Sequence, residues 1–170
     1  MDTSSIKYGV GATAEVGSDV ADRGIRRVAV FADHGIAKTV GYEVALKSLK
    51  DAGLDVHVFL DVRVEPTDQS WEVATNWATE LQPDGYVAIG GGSVIDTAKA
   101  ANLYATYPAP LLTYVNAPIG EAKPVPGPVK PLIAIPTTAG TGSETTGVAV
   151  FDFSSMHAKT AVASRALRPT

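Results

Sequence analysis

Tyr86-Val87-Ala88-Ile89-Gly90-Gly91-Gly92-Ser93-Val94-Ile95-Asp96 is the stretch that decides the fold. Tyr86 to Ile89 are apolar without alternation, as in a central strand covered on both faces. Glycines at 90, 91 and 92 follow, and residues 93–106 then read as a helix. Ser93 is a natural N-cap there, and Asp96 three residues on resembles a capping-box partner. A buried strand that turns through glycine into a helix is one unit of an α/β sheet.

The flanking sequence repeats that unit. Arg27-Val28-Ala29-Val30-Phe31-Ala32 reads as a buried strand. A helical stripe of Val40, Val44, Ala45, Leu49 and Ala52 follows, ended by Gly53. Residues 54–60 form the next strand, in which Val56 and Val58 alternate with His57 and Phe59. Trp71, Ala74, Thr75, Ala78 and Leu81 make a second stripe, with Trp71 in the core and Trp77 partly exposed, and Pro83-Asp84-Gly85 is a turn. Residues 107–130 carry Pro108, Pro110, Pro118, Pro124, Pro126 and Pro128, which rule out a long helix. That stretch reads as a loop excursion with residues 111–115 its strand-like piece. Leu132-Ile133-Ala134-Ile135 is another buried strand, and residues 148–153 and 160–163 suggest a hairpin around Ser154-Ser155. Alternating strands and helices predict an α/β fold with a doubly wound, mostly parallel sheet, filling one domain over residues 1–170.

Composition excludes several function classes. With 45 % hydrophobic and 19 % charged residues, the 170-residue chain supports a packed core. A formal charge of −4 and no basic block argue against a nucleic-acid partner. There is no cysteine, so disulfides, thiolate nucleophiles and thiolate metal sites are excluded. The N-terminus shows neither a secretory signal nor an arginine-rich transit segment, and no apolar run approaches the ~20 residues that span a bilayer. A cytoplasmic protein is expected, with the mitochondrial matrix as the alternative.

Glycine lacks a Cβ, so ligand phosphate oxygens can approach the backbone N–H groups of Gly91 and Gly92 closely. The helix start adds free N–H groups and partial positive charge. A tight turn with no ligand is the competing reading. The loop is neither a Gly-x-Gly-x-x-Gly fingerprint nor a Walker A motif, because Lys99 lies too far along the helix. A second loop, Ile135-Pro136-Thr137-Thr138-Ala139-Gly140-Thr141-Gly142-Ser143-Glu144, also follows a strand and is dense in hydroxyls. Two such loops side by side at the carboxyl edge of the sheet form the usual ligand crevice of open α/β folds. Asp33, just past the first strand, suits adenosine ribose hydroxyls and disfavours a 2′-phosphate, or else serves as a helix-leading cap. His34, His57 and His157 share no ligand spacing and show no convincing carboxylate partner, so no metal ligand is assigned here. No nucleophile–base arrangement is evident, and the catalytic residues stay unknown.

Residues 90–99, Gly-Gly-Gly-Ser-Val-Ile-Asp-Thr-Ala-Lys, resemble the glycine-rich signature of the iron-containing alcohol dehydrogenases, and residues 136–144 resemble that family's second signature. Residues 62–68, 99–105, 117–125 and 144–152 are similar to its hydroxyacid–oxoacid transhydrogenase branch. The resemblance implies the N-terminal NAD-binding domain of the fold shared with dehydroquinate synthase-like proteins. It implies that Gly91, Gly92 and Ser93 hold the pyrophosphate and that Asp96 supports the loop. Thr137 and Thr138 would contact the cofactor near its phosphates and nicotinamide ribose, Thr146 and Lys159 would add contacts, and Asp33 would favour NAD. Small alcohol, hydroxyacid and oxoacid substrates are implied, and a homo-oligomer for the intact protein. The family's iron or other divalent metal is held by one aspartate and three histidines of a C-terminal helical domain. The chain stops at Thr170, before that domain, so a fragment of a longer oxidoreductase is expected.

Overall fold

The computed structural model describes residues 4–170. Its framework is a parallel sheet in the order β2–β1–β3–β4, built from β1 (Arg27–Phe31), β2 (Asp55–Phe59), β3 (Gly85–Gly90) and β4 (Leu132–Pro136). The helices are α1 (Val16–Ala21), α2 (Val40–Asp51), α3 (Asp68–Leu81) and α4 (Gly92–Thr106). A hairpin of β5 (Val148–Phe153) and β6 (Ala158–Ala163) forms a separate antiparallel sheet.

Both faces of the parallel sheet are covered, which explains the unbroken apolar runs of its central strands. Val28, Val30, Val87 and Ile89 pack with Val20, Tyr42, Ala45 and Leu49 of α1 and α2 on one face. Ala29, Phe31, Tyr86 and Ala88 pack with Ala74, Ala78, Ile95 and Ala98 of α3 and α4 on the other. The chain thus winds from β1 to β2 through α2, then crosses back to β3 and on to β4 through α3 and α4. Direction reverses between β1 and β3, so the loops leaving those strands diverge and open a crevice there.

Several local readings change. Val40, the first residue of α2, is exposed, and Tyr42 of the same turn takes its place on the buried face. β4 is an edge strand, so Ile133, Ala134 and Ile135 are only partly covered. Residues 111–113 form a short 3-10 turn instead of a strand, and only Val115 bridges, to Val162. The N-cap of α4 is Gly91, with no capping side chain. Ser93 sits within the first turn, where its Oγ accepts the Glu65 N–H at 3.2 Å. Asp96 turns inward to accept the Val150 N–H at 3.0 Å, so no capping box forms. The hairpin is as expected, with β6 starting two residues earlier, at Ala158.

α4 is buried on every side from Val94 to Tyr104 because it lies between two layers. The sheet covers one side. The hairpin and the proline-rich segment cover the other through a cluster that includes Trp71, Leu103, Tyr104, Tyr114, Phe151 and Val162. Trp71 of α3 and Phe151 of β5 centre this second layer, their rings 4.4 Å apart. Replacing Trp71 by Ala should therefore cost about 3–5 kcal/mol of unfolding free energy. Denaturant titration checks the loss, and a change under 1 kcal/mol would show that the hairpin packs without this anchor.

Candidate functional site

The carboxyl ends of β1, β3 and β4 open into one cleft of about 560 Å³. Its floor is Gly91, Gly92 and Ser93, and one side carries Thr137, Thr138 and Thr141. Asp33 stands at the β1 end, and Val150, Phe151, Asp152 and Lys159 of the hairpin form the far wall.

Parallel pairing of β3 with β4 puts the two signature loops in contact. Gly90 lies opposite Pro136, and the Thr137 N–H donates to the Gly90 carbonyl at 3.0 Å. The approach is close enough that a Cβ on Gly91 would lie 3.2 Å from Thr138 Oγ1. One on Gly92 would lie 3.2 Å from Ser143 Oγ. With no side-chain cap on α4, the Gly92 and Ser93 amides remain available as donors at the cleft floor, while those of Val94 and Ile95 donate to the Gly91 carbonyl. The Ser93 Oγ spends a lone pair on the Glu65 N–H, which leaves its O–H free to donate. Amides, hydroxyls and a helix N-terminus converging on one cleft suit an anion with many acceptor oxygens.

Asp33 shows both features of its two readings. Its Oδ1 accepts the N–H groups of Gly35 (2.7 Å) and Ile36 (2.8 Å), as a cap would, while the residue also lines the cleft. Lys159 is at the rim, 3.7 Å from Asp152 Oδ1 and 3.9 Å from Glu65 Oε1. Thr146 is the predicted contact that does not line the cleft: it is exposed, and its carbonyl accepts from Lys99. Sequence reasoning missed the residues of the 63–67 segment that overhang the cleft. Glu65 there adopts φ +55°, and the Pro66 carbonyl accepts the Asp152 N–H at 2.7 Å. Nothing in Arg-Val-Glu-Pro-Thr marks a left-handed glutamate, so no local signal identified it.

Buried charge adjoins the floor, with Asp96 itself lining the cleft and Lys99 behind it. Asp96 and Lys99 are 6 % and 1 % exposed, with Oδ1 and Nζ 3.6 Å apart. Burial pushes the Asp96 carboxyl up, opposed by the Lys99 charge and the Val150 N–H. Burial pushes the Lys99 ammonium down, opposed by Asp96. His34 and His57 do find carboxylates, Asp61 just past the end of β2 at 3.3 Å and Asp55 two residues earlier on β2 at 2.8 Å. Both pairs are solvent-exposed and have one acid each. Among the described residues no group of three or more His, Cys, Asp or Glu side chains is placed to hold a metal ion.

The family profile for iron-containing alcohol dehydrogenase matches residues 3–170. The mitochondrial hydroxyacid-oxoacid transhydrogenase of Mus musculus is 51 % identical over 171 residues, covering 100 % of this chain and 37 % of the relative. The chain therefore spans little more than a third of that relative's length. Crystallised 1,3-propanediol oxidoreductase superposes with a TM-score of 0.88 at 27 % identity, over 98 % of this chain and 43 % of the other. Sulfoacetaldehyde reductase from Bifidobacterium kashiwanohense, solved in complex with NAD+, gives 0.83 at 26 % identity over the same shares.

The hairpin wall is tied down at its turn by Asp68, whose Oδ1 accepts the Ser154 hydroxyl at 2.6 Å and the Ser154 N–H at 3.3 Å. Burial pushes the Asp68 carboxyl up, but the Ser154 bonds and the amides of Gln69 and Asp68 itself outweigh it and hold the group below the usual carboxylate range. A depressed folded-state pKa contributes stability that is present above the unfolded value of about 3.9 and is lost as pH falls through the folded value. Asp68→Asn should thus cost about 1 kcal/mol at pH 7 and progressively less at acid pH. Denaturant unfolding across that range checks it, and a pH-independent difference would show that the carboxylate charge is immaterial.

Proposed function

The chain belongs to the iron-containing alcohol dehydrogenase family, and from that premise we propose that its cleft binds NAD as the cofactor half of a hydride-transferring oxidoreductase. The observation that carries this reading is the convergence of the Gly91–Ser93 floor, Thr137, Thr138 and Asp33 around one cleft at the sheet's reversal point.

The residues fit the cofactor. The Gly92 and Ser93 amides and the Ser93 hydroxyl would hold the pyrophosphate, since glycine at 91 and 92 keeps the approach to the backbone open. Thr137 and Thr138 would donate to phosphate and nicotinamide ribose, and Asp33 would accept from the adenosine ribose through the oxygen not used by Gly35 and Ile36. A carboxylate there repels a 2′-phosphate and supports NAD over NADP. Lys159 at the rim would offset phosphate charge, and Asp96 would support the floor from below. Thr146 would act through its backbone, not as a direct contact. Bound NAD supplies two-electron hydride chemistry at its nicotinamide ring. The described residues do not fit the family's metal, because they offer no such ligand set.

For a longer protein containing these residues we favour transhydrogenation, as in the relatives' names. 4-Hydroxybutyrate would lose a hydride and a proton to become succinic semialdehyde, and 2-oxoglutarate would gain both to become 2-hydroxyglutarate. The mitochondrial location in those relatives' names favours the mitochondrial matrix over the cytoplasm. An ordinary NAD-dependent alcohol dehydrogenase is the second reading, favoured by the superposition on 1,3-propanediol oxidoreductase. In the longer protein, turnover that requires an oxoacid acceptor supports transhydrogenation, and steady NADH formation from propanediol alone refutes it.

The 170-residue chain should bind NAD in calorimetry and form no NADH from ethanol or propanediol. A titration without heat at several temperatures overturns the binding reading, and measurable turnover overturns the claim that the chemistry needs further residues. Gly92→Val should weaken NAD binding about tenfold or more, since a branched side chain blocks approach to the amide. A folded variant that binds as tightly as the parent would remove the floor as the phosphate site.

A further inference from the structure

The hairpin that walls the cleft has a second edge that, among the described residues, no strand covers and only an isolated Thr67–Asp152 bridge meets. β5 pairs with β6 on one side only. On the other side its even-numbered residues turn their backbone groups toward the body of the protein, and unpaired groups buried there are costly. The Thr146 and Val148 carbonyls both accept from Lys99 Nζ, at 2.9 and 2.7 Å. Next along the edge, the Val150 N–H donates to Asp96 Oδ2 at 3.0 Å. The Asp152 N–H donates to the Pro66 carbonyl at 2.7 Å. A cation thus meets the two carbonyls and an anion meets the amide, so two side chains one helical turn apart on α4 stand in for a neighbouring strand.

Lys99 does not line the cleft and cannot touch a molecule inside it. Its ammonium is fully buried, donates to the two carbonyls and forms an ion pair with Asp96 Oδ1 at 3.6 Å, beyond hydrogen-bond reach. The Ser154 turn is tied separately to Asp68. Lys99 therefore secures the opposite end of the hairpin, the one from which Val150, Phe151 and Asp152 run along the cleft.

We infer that Lys99 is a positioning residue for the cleft: by clamping the carbonyls of Thr146 and Val148 it sets the hairpin wall at its distance from the Gly91–Ser93 floor. The affinity arm of the test rests on the NAD reading above, whereas the exchange arm needs no ligand.

The test compares Lys99→Met with the parent by amide hydrogen exchange and by NAD calorimetry. Exchange at Val150 and Asp152 should rise about tenfold or more while amides of β1 and β3 keep their protection, and NAD binding should weaken about tenfold. Lys99→Arg keeps a cation with several donors at that depth and should recover most of the affinity. Unchanged exchange at β5, or an equal rise in both sheets, would reduce Lys99 to a general stability role and overturn the inference. So would undiminished NAD affinity in the Met variant. Should Lys99→Met not fold, the shorter neutral Lys99→Gln takes its place: a rise confined to β5 supports the clamp, and an even rise or none overturns it. A parent chain that fails to bind NAD would refute the cofactor reading and leave the exchange comparison standing.

Discussion

The polar stripe Asp96–Lys99–Asn102 inside α4 is the constraint on which the two layers depend. These residues are buried within a helix that is covered on every side. Buried charge and amide groups are tolerated only when paired. Each of the three is paired with extended backbone from the second layer: Asp96 with Val150, Lys99 with Thr146 and Val148, Asn102 with both the N–H and the carbonyl of Lys130. Spacing of three residues keeps them along one side of the helix. α4 is thereby both a core helix for the parallel sheet and a docking rail for segments with no strand neighbour.

That arrangement accounts for the position of the cleft. The same helix that begins at the cleft floor holds, one to two turns later, the wall opposite. The β3–β4 register fixes the third side, since Gly90 pairs with Pro136 and both loops leave the sheet at the same level. Glycine at 91 and 92 is what permits this closeness, because Thr138 and Ser143 already occupy the space a side chain would need.

The sequence was legible wherever a residue's surroundings follow from its neighbours in the chain. β1 and β3 were readable because strands covered on both faces are continuously apolar. The two signature loops were readable because glycine and threonine after a strand have few other uses. Readings failed where tertiary context decided. Ser93 resembles a cap, yet Gly91 holds the N-cap position and the serine oxygen accepts from the Glu65 N–H. Asp96 resembles a capping partner, yet a strand distant in sequence claims its carboxylate. Lys99 shows in the sequence only as a lysine too far along the helix to complete a Walker A motif. Only the arrival of the hairpin some 50 residues later, at Thr146 and Val148, makes it core.

Hydrophobic contact and polar contact divide the labour between the two layers. Trp71 against Phe151 brings the hairpin onto α3, but apolar packing is non-directional and tolerates small slides. Hydrogen bonds weaken steeply with angle and distance, so the clamp along β5 and the Asp68–Ser154 bond fix register as well as proximity. Shifting β5 by one residue would turn Val150's amide away from Asp96 and bring groups of the opposite strand edge against Lys99. Under the NAD reading, a floor and wall that grip one extended ligand need that second kind of contact. It explains why charge is buried beneath the floor even though an apolar filling would avoid the desolvation cost.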